Sequence, residues 1–282
     1  MTWDVLRTMA SDLARLVVPV ECAGCGEVDV RLCAECAAQW WEWPVRVESG
    51  APRLDVEGRA PLPVWAVAAL DGSAESVVRA WKDGSRRDLD RWLAGAVRLS
   101  ARRIAPQVLP PSSSATGPAA ITVVPAPARA ASTRRRGVDL PALLARGAAV
   151  GLREAGIDAA VTSALRIGGA ESRGRSARAR WRGARGSVRV RRRVTGPVVL
   201  VDDVVTTGAT LAACAQALED AGAVVIGALA AAAAGNARAH GPGRLGWSSD
   251  DVHVDTFDAP GGDAAGAEGA AVTIARPHGR TR

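Results

Sequence analysis

Tyrosine is absent from this 282-residue chain, lysine occurs once, as Lys82, and the three histidines (His240, His253, His278) all lie beyond residue 235. Every other cation is an arginine, so the net charge of +7 and the pI near 10.3 belong to an Ala-, Gly- and Arg-rich composition of the kind GC-rich coding produces. The basicity is therefore weak testimony for any one partner: a phosphate-handling enzyme and a nucleic-acid binder share it. The lone lysine follows Trp81 with no glycine before it, which excludes a Walker P-loop. Histidine-based triads are excluded from the folded region, which holds no histidine. No apolar run is long enough for a membrane span; the longest, 223–234, is interrupted by Gly227. Residues 1–20 mix Asp4, Arg7, Asp12 and Arg15 with apolar positions, the pattern of a short amphipathic helix rather than a secretory leader. The expected location is cytoplasmic.

Four of the five cysteines form two pairs, Cys22-x2-Cys25 and Cys33-x2-Cys36. Paired thiolates at this spacing close a tetrahedral zinc site without histidine, and disulfides are the competing use. A site filled by four thiolates has no open position for water, so a structural Zn2+ is expected. An element this small has almost no core and needs the metal to fold. Cys214 lies inside a later helix and reads as buried packing.

Residues 1–60 therefore read as an N-terminal helix and zinc-ribbon-like module, with 40–60 (Trp40, Trp41, Trp43 and Pro- and Gly-punctuated sequence) as a linker or loose hairpin. Residues 61–234 read as the main domain. Strands are expected at 64–70, 121–124, 164–167, 198–201 and 224–229, and helices at 74–82, 88–104, 139–155 and from about 211 to 221. A Pro- and Ser-rich flexible insertion is expected over 106–119. Strands alternating with helices predict an α/β fold with a doubly wound parallel sheet. Residues 235–282 lose apolar periodicity and read as a disordered tail. The arginines of 173–193 read as a solvated helix and hairpin or as a nucleic-acid-tracking surface, with Trp181 as a stacking platform in the second case.

The most informative run is 198–211, Val-Val-Leu-Val-Asp-Asp-Val-Val-Thr-Thr-Gly-Ala-Thr-Leu. Four apolar residues suit a buried parallel strand. Asp202 and Asp203 then fall near its carboxyl end, where ligands bind in open α/β sheets. Hydroxyls and a glycine follow at a helix N-terminus, where free N–H groups and the helix dipole receive an anion. Helix capping alone would account for one carboxylate, but poorly for two in tandem before Thr-Thr-Gly-x-Thr. The pattern is a phosphate cradle beside two hydroxyl acceptors, which suits a ribose 5-phosphate.

This run resembles the phosphoribosyl pyrophosphate (PRPP) motif of type I phosphoribosyltransferases. The segment 123–129, Val-Val-Pro-Ala-Pro-Ala-Arg, with Arg134-Arg135-Arg136-Gly137 after it, resembles the pyrophosphate loop of the same superfamily; an ordinary Pro-rich turn is the alternative. The order of features resembles the ComF (competence protein F, GntX-like) family, in which a four-cysteine module precedes such a domain. Leu16-Val17-Val18-Pro19-Val20-Glu21-Cys22-Ala23-Gly24-Cys25-Gly26 is similar to its opening, and Arg135-Arg136-Gly137-Val138-Asp139 to its Arg-Arg-Gly-Phe-Asn/Asp, with Val138 for Phe. The resemblance implies Asp202 and Asp203 as catalytic carboxylates that hold the sugar hydroxyls and support Mg2+. It implies Val205, Thr206, Thr207, Gly208, Ala209 and Thr210 around the 5-phosphate, and Ala126, Pro127, Ala128 and Arg129 around pyrophosphate. Lys82 and Arg136 are further candidates. PRPP or a nucleoside monophosphate is the implied ligand, and phosphoribosyl transfer with loss of pyrophosphate the implied reaction. The alternative is a non-catalytic PRPP or nucleotide sensor, or a single-stranded-DNA-handling accessory of the competence machinery. The acceptor and the oligomeric state are not encoded in any motif.

Overall fold

A computed structural model describes residues 20–55, 61–84, 86–108, 120–168 and 188–235. The first elements among the described residues are helix α1 (Ala34–Ala38), a 3-10 turn (Gln39–Trp41), strand β1 (Val45–Arg46) and a second 3-10 turn (Glu48–Gly50). Strand β2 (Val64–Ala69) leads into helices α2 (Gly72–Lys82) and α3 (Leu89–Val108). Then come β3 (Ile121–Pro125), α4 (Ala130–Arg136), α5 (Leu140–Glu154), β4 (Ala159–Val161), β5 (Leu165–Ile167), β6 (Val188–Val190), β7 (Gly196–Val205), α6 (Ala209–Asp220) and β8 (Ala223–Ala233).

Six strands make one sheet in the order β1-β2-β8-β7-β3-β4, parallel throughout except for β1. This is the expected mixed α/β fold. Both faces are covered, which explains the unbroken apolar runs. Along β7, Val199 and Val201 join one buried cluster with α2, α3 and α5, while Val198 and Leu200 join another with α6 and residues 47–54. Two glycines let α3 and α5 cross closely: a Cβ on Gly147 would sit 2.4 Å from the Ala94 carbonyl oxygen, and one on Gly151 2.0 Å from that of Arg98.

The connections place a crevice at one end of the sheet. From β3 the chain passes through α4 and α5 to β4, away from β7; from β7 it passes through α6 to β8, away from β3. The adjacent carboxyl ends of β3 and β7 are thus a topological switch point, where open α/β sheets bind ligands.

Several expectations are corrected. Strand β7 runs from Gly196 to Val205, so both carboxylates lie within the strand, because β8 extends to Ala233 and continues the pairing (Asp202 opposite Ala230, Val205 opposite Ala233). Of the two readings of this segment, residues 40–55 are no linker: β1 pairs antiparallel with β2 as a hairpin would, and it is a packed one, with Trp40, Ala51 and Leu54 buried. Residues 106–108, expected to open the flexible insertion, instead close α3, which continues through Pro106 to Val108, with Ile104, Ala105 and Val108 buried; 109–119 lie outside the described residues. The strand at 164–167 pairs with β6 in a separate two-stranded ribbon rather than in the main sheet. The edge strand β4 was unforeseen. The amphipathic segment 1–19, residues 173–187 with Trp181, and the tail from 236 lie outside the described residues.

Candidate functional site

The site is assembled from the two loops that leave β3 and β7. After β7, Thr206 and Thr207 are exposed and Gly208 turns the chain at φ 76° into α6, whose N-terminus carries no side-chain cap. The first-turn N–H groups of α6 and its positive dipole end therefore face this loop. A cleft of about 40 Å³ opens here, lined by Asp202 and residues 204–211. Its volume exceeds the roughly 10–15 Å³ that one water needs.

Gly208 is required twice over. Its backbone lies in the left-handed region, and a Cβ there would stand 2.5 Å from Leu54 Cγ. Leu54 and Ala51 cover the loop from the side, and the Arg53 N–H donates to the Thr207 carbonyl at 2.9 Å. Gly208→Ala is expected to destabilise the protein by about 1–3 kcal/mol, left-handed strain plus overpacking. Urea unfolding measures this, and an unchanged midpoint would refute the packing argument.

The carboxylates occupy different surroundings. Asp202 is buried, and its Oδ1 accepts the Asp203 N–H at 2.8 Å; Asp203 Oδ1 accepts the Val204 N–H at 2.7 Å. Burial, and then the Asp203 charge, push the Asp202 carboxyl from 3.8 up to about 7. Lys82, at the end of α2, places Nζ 2.9 Å from Asp203 Oδ2. The structure therefore brings the lone lysine to the carboxylate pair. Arg136 Nε donates to the Lys82 carbonyl, and its guanidinium stands 3.5 Å from Asp83 Oδ1. Arg136 thus fastens the end of α2 rather than facing the cleft with a free head group.

The candidate pyrophosphate loop begins at the same end of the sheet. The Ala126 N–H donates to the Val201 carbonyl at 2.8 Å, tying this loop to β7 one residue before Asp202. Ala126 is buried, Pro127 and Ala128 are half-buried, and Arg129 is exposed at the start of α4. Cys214 is fully buried in α6, and burial raises its thiol well above the ordinary range, consistent with packing.

The four N-terminal cysteines converge with all sulfurs within 4.8 Å of one another. Cys25 and Cys33 Sγ are 3.7 Å apart, far beyond a disulfide bond and close to the spacing of two thiolates on one tetrahedral zinc. The Gly24 and Cys33 N–H groups donate to Cys22 Sγ at 3.4 and 3.3 Å. Burial opposes ionisation of Cys22, but backbone N–H groups outweigh it and bring the thiol down to about 6. This donor set fits a metal such as zinc. The module is clipped to the main fold by Arg86, which donates to the Glu21 and Arg31 carbonyls and pairs with Asp88.

Sequence reasoning did not foresee the Leu54 cover over Gly208, and no local signal marks it. It also missed Asp90, a buried carboxylate that accepts from Trp81 Nε1 at 2.8 Å and Arg87 Nε at 2.7 Å. A charged residue on the apolar face of α3 was the available signal.

No protein-family model and no curated protein matches this chain. Two solved structures, described as analyses of an invariant aspartic acid in HPRTs (a glutamine and an alanine mutant), are similar with a TM-score of 0.33 and 16% identity. The likeness covers 57% of this chain and 75% of each of theirs. What the site does is therefore argued from its own geometry.

Proposed function

We propose that this chain is a ComF-like phosphoribosyltransferase-type protein that binds PRPP, or a related ribose 5-phosphate ligand, with Mg2+. The observation that carries the reading is the switch-point crevice, where an uncapped helix N-terminus with three threonines, a pair of adjacent carboxylates and a second strand-end loop meet. The N–H groups and hydroxyls around Thr206, Thr207 and Thr210 would hold the 5-phosphate. Asp202 and Asp203 would accept from the two sugar hydroxyls, fixing the ring. The 126–129 loop would receive the pyrophosphate through backbone N–H groups and Arg129. In the transfer, the bond from C1 to the pyrophosphate oxygen breaks and a bond from C1 to the acceptor forms. The electron pair leaves with pyrophosphate, and positive charge develops on the sugar beside the carboxylates. Bound Mg2+ would supply charge neutralisation of the leaving group, a role suited to an ion that uses one or two carboxylates together with substrate oxygens.

Calorimetry with PRPP and Mg2+ tests the binding, and pyrophosphate release across a panel of bases tests the transfer. Micromolar binding with release supports the enzyme; binding without release supports a sensor. Absence of binding to PRPP and to nucleoside monophosphates overturns both.

One observation favours a second role in handling single-stranded DNA. On the β5–β6 ribbon the exposed Arg166 and Arg189 stand directly opposite, with exposed Arg191 and Arg192 beyond. Like charges paired across strands cost stability unless a polyanion covers them. Salt-dependent oligonucleotide binding lost in Arg166→Gln/Arg189→Gln would support this role.

A further inference from the structure

The four sulfurs of the cysteine cluster do not share one environment. Cys22 Sγ accepts the Gly24 and Cys33 N–H groups, Cys25 is exposed and Cys33 is half-buried, so backbone or water can serve each of them. Cys36 is 3% exposed, and among the described residues no backbone N–H reaches its sulfur. Four thiolates on one zinc carry net negative charge, and a buried sulfur among them needs a donor. One polar side chain meets it. A Cβ on Gly24 would stand 2.6 Å from Cys36 Sγ and 3.2 Å from Ser73 Cβ, so the first knuckle, the sulfur and Ser73 pack at one point. The Ser73 hydroxyl hydrogen-bonds with the Cys36 sulfur, and its oxygen accepts from Gln39 Nε2 at 2.8 Å. A hydroxyl has one proton, and with the amide donating to the oxygen that proton is left for sulfur. A serine in the first turns of a helix ordinarily bonds to the local backbone. Ser76 of the same helix does so, donating to the Gly72 carbonyl, whereas Ser73 is spent on Gln39 and Cys36.

We propose that Ser73, aimed by Gln39, is a positioning residue for the metal of the cysteine centre: its hydroxyl donates to the Cys36 thiolate and fixes how that ligand meets the ion. Cys36 lies on α1 and Gln39 directly follows that helix, while Ser73 belongs to α2, so amide, hydroxyl and sulfur close a loop between the two helices. The same bond pins the first turn of the helix whose last residue, Lys82, reaches Asp203. None of this depends on what the crevice binds.

Competition with a chelator for zinc, on the full chain, reads the metal affinity. Ser73→Ala is expected to weaken it about tenfold to a hundredfold, and Ser73→Thr to restore it. Gln39→Leu keeps the hydroxyl but frees it to turn, so a smaller loss is expected. Ser76→Ala, at an exposed position of the same helix, is expected to change nothing. Cobalt(II) loaded in place of zinc separates a donor to sulfur from mere packing. In Ser73→Ala the visible bands of a tetrahedral thiolate site should persist. The sulfur-to-cobalt charge-transfer band should move to longer wavelength, because loss of a donor raises the energy of the sulfur electrons. Gln39→Leu should move it the same way, which decides the matter even where Ser73→Ala fails to fold. A charge-transfer band that stays in place in these variants overturns the proposal, whatever the affinity does, and so does a wild type that takes up no metal.

Discussion

Asparagine at both Asp202 and Asp203 is expected to weaken binding of PRPP with Mg2+ at least about a hundredfold while leaving the protein folded. A hydrogen bond to a charged group contributes roughly 1.5–3 kcal/mol, and losing two removes about 3–6 kcal/mol, or two to four powers of ten in affinity. The asparagine oxygens still accept the Asp203 and Val204 N–H groups, so the local strand geometry survives. Stability should respond in a way that identifies Asp202. Its carboxyl is raised, so its contribution is fully present below about 3.8 and is lost as pH climbs through about 7. Glu48, Asp88 and Glu154 are held below their ordinary values by arginines, so their contributions run the other way and are lost in acid. Asp202→Asn alone should therefore flatten the decline in melting temperature between pH 4 and 7 and leave the acid limb untouched. Calorimetric binding and melting curves check both parts. Undiminished affinity in the double variant would remove the carboxylates from the site.

The strands 64–69, 121–125 and 198–201 were legible because a strand buried on both faces needs a continuous apolar run. The Asp-Asp pair and the two cysteine pairs were legible because their chemistry is carried by residue type and spacing. The length of β7 was not. Its last four residues pair with an alanine run in β8, and alanine has no strand preference of its own, so only the partner fixes that edge. The β5–β6 ribbon was equally hidden, since a three-residue strand with an arginine at its centre does not say which strand it will pair with. Contacts made across the fold left no local mark either. Lys82 reads locally as a helix-terminal lysine, a candidate through the resemblance alone, and Leu54 as a residue in a linker or loose hairpin. Both acquire meaning when α2 and the 47–54 segment are laid against the loop after β7.

Removing the metal from the four-cysteine module is expected to unfold residues 20–38 without dissolving the sheet. Within that segment Cys22 and Cys36 alone are buried, and Ala23 and Leu32 are the apolar side chains that pack on the core. The remaining order comes from the five-residue helix α1, a bridge between Glu21 and Val28, the Arg86 bonds to the Glu21 and Arg31 carbonyls, and a few turn hydrogen bonds, such as Cys22 N–H to Glu27 and Gly26 N–H to Cys22. These cannot offset the conformational entropy of about nineteen residues at roughly 1–2 kcal/mol each. Thiolate–zinc coordination, worth on the order of 10 kcal/mol in small metal-folded peptides, can supply what the core does not. The protein as isolated should therefore carry about one zinc per chain. Chelation, or Cys36→Ser, should strip hydrogen-exchange protection from 20–38 while β7 and β8 stay protected. Cys36 is the informative position because it lies under the first knuckle, where even a Cβ on Gly24 would stand 2.6 Å from its sulfur. The loss should also reach Trp40, which is fully buried just beyond α1 and meets Trp92 edge-on at 5.5 Å, so tryptophan emission should shift to the red. Arg86 would lose the Glu21 and Arg31 carbonyls but keep Asp88, which limits the damage at the start of α3. Zinc well below one per chain, or unchanged protection in Cys36→Ser, would leave the cysteine cluster without its metal.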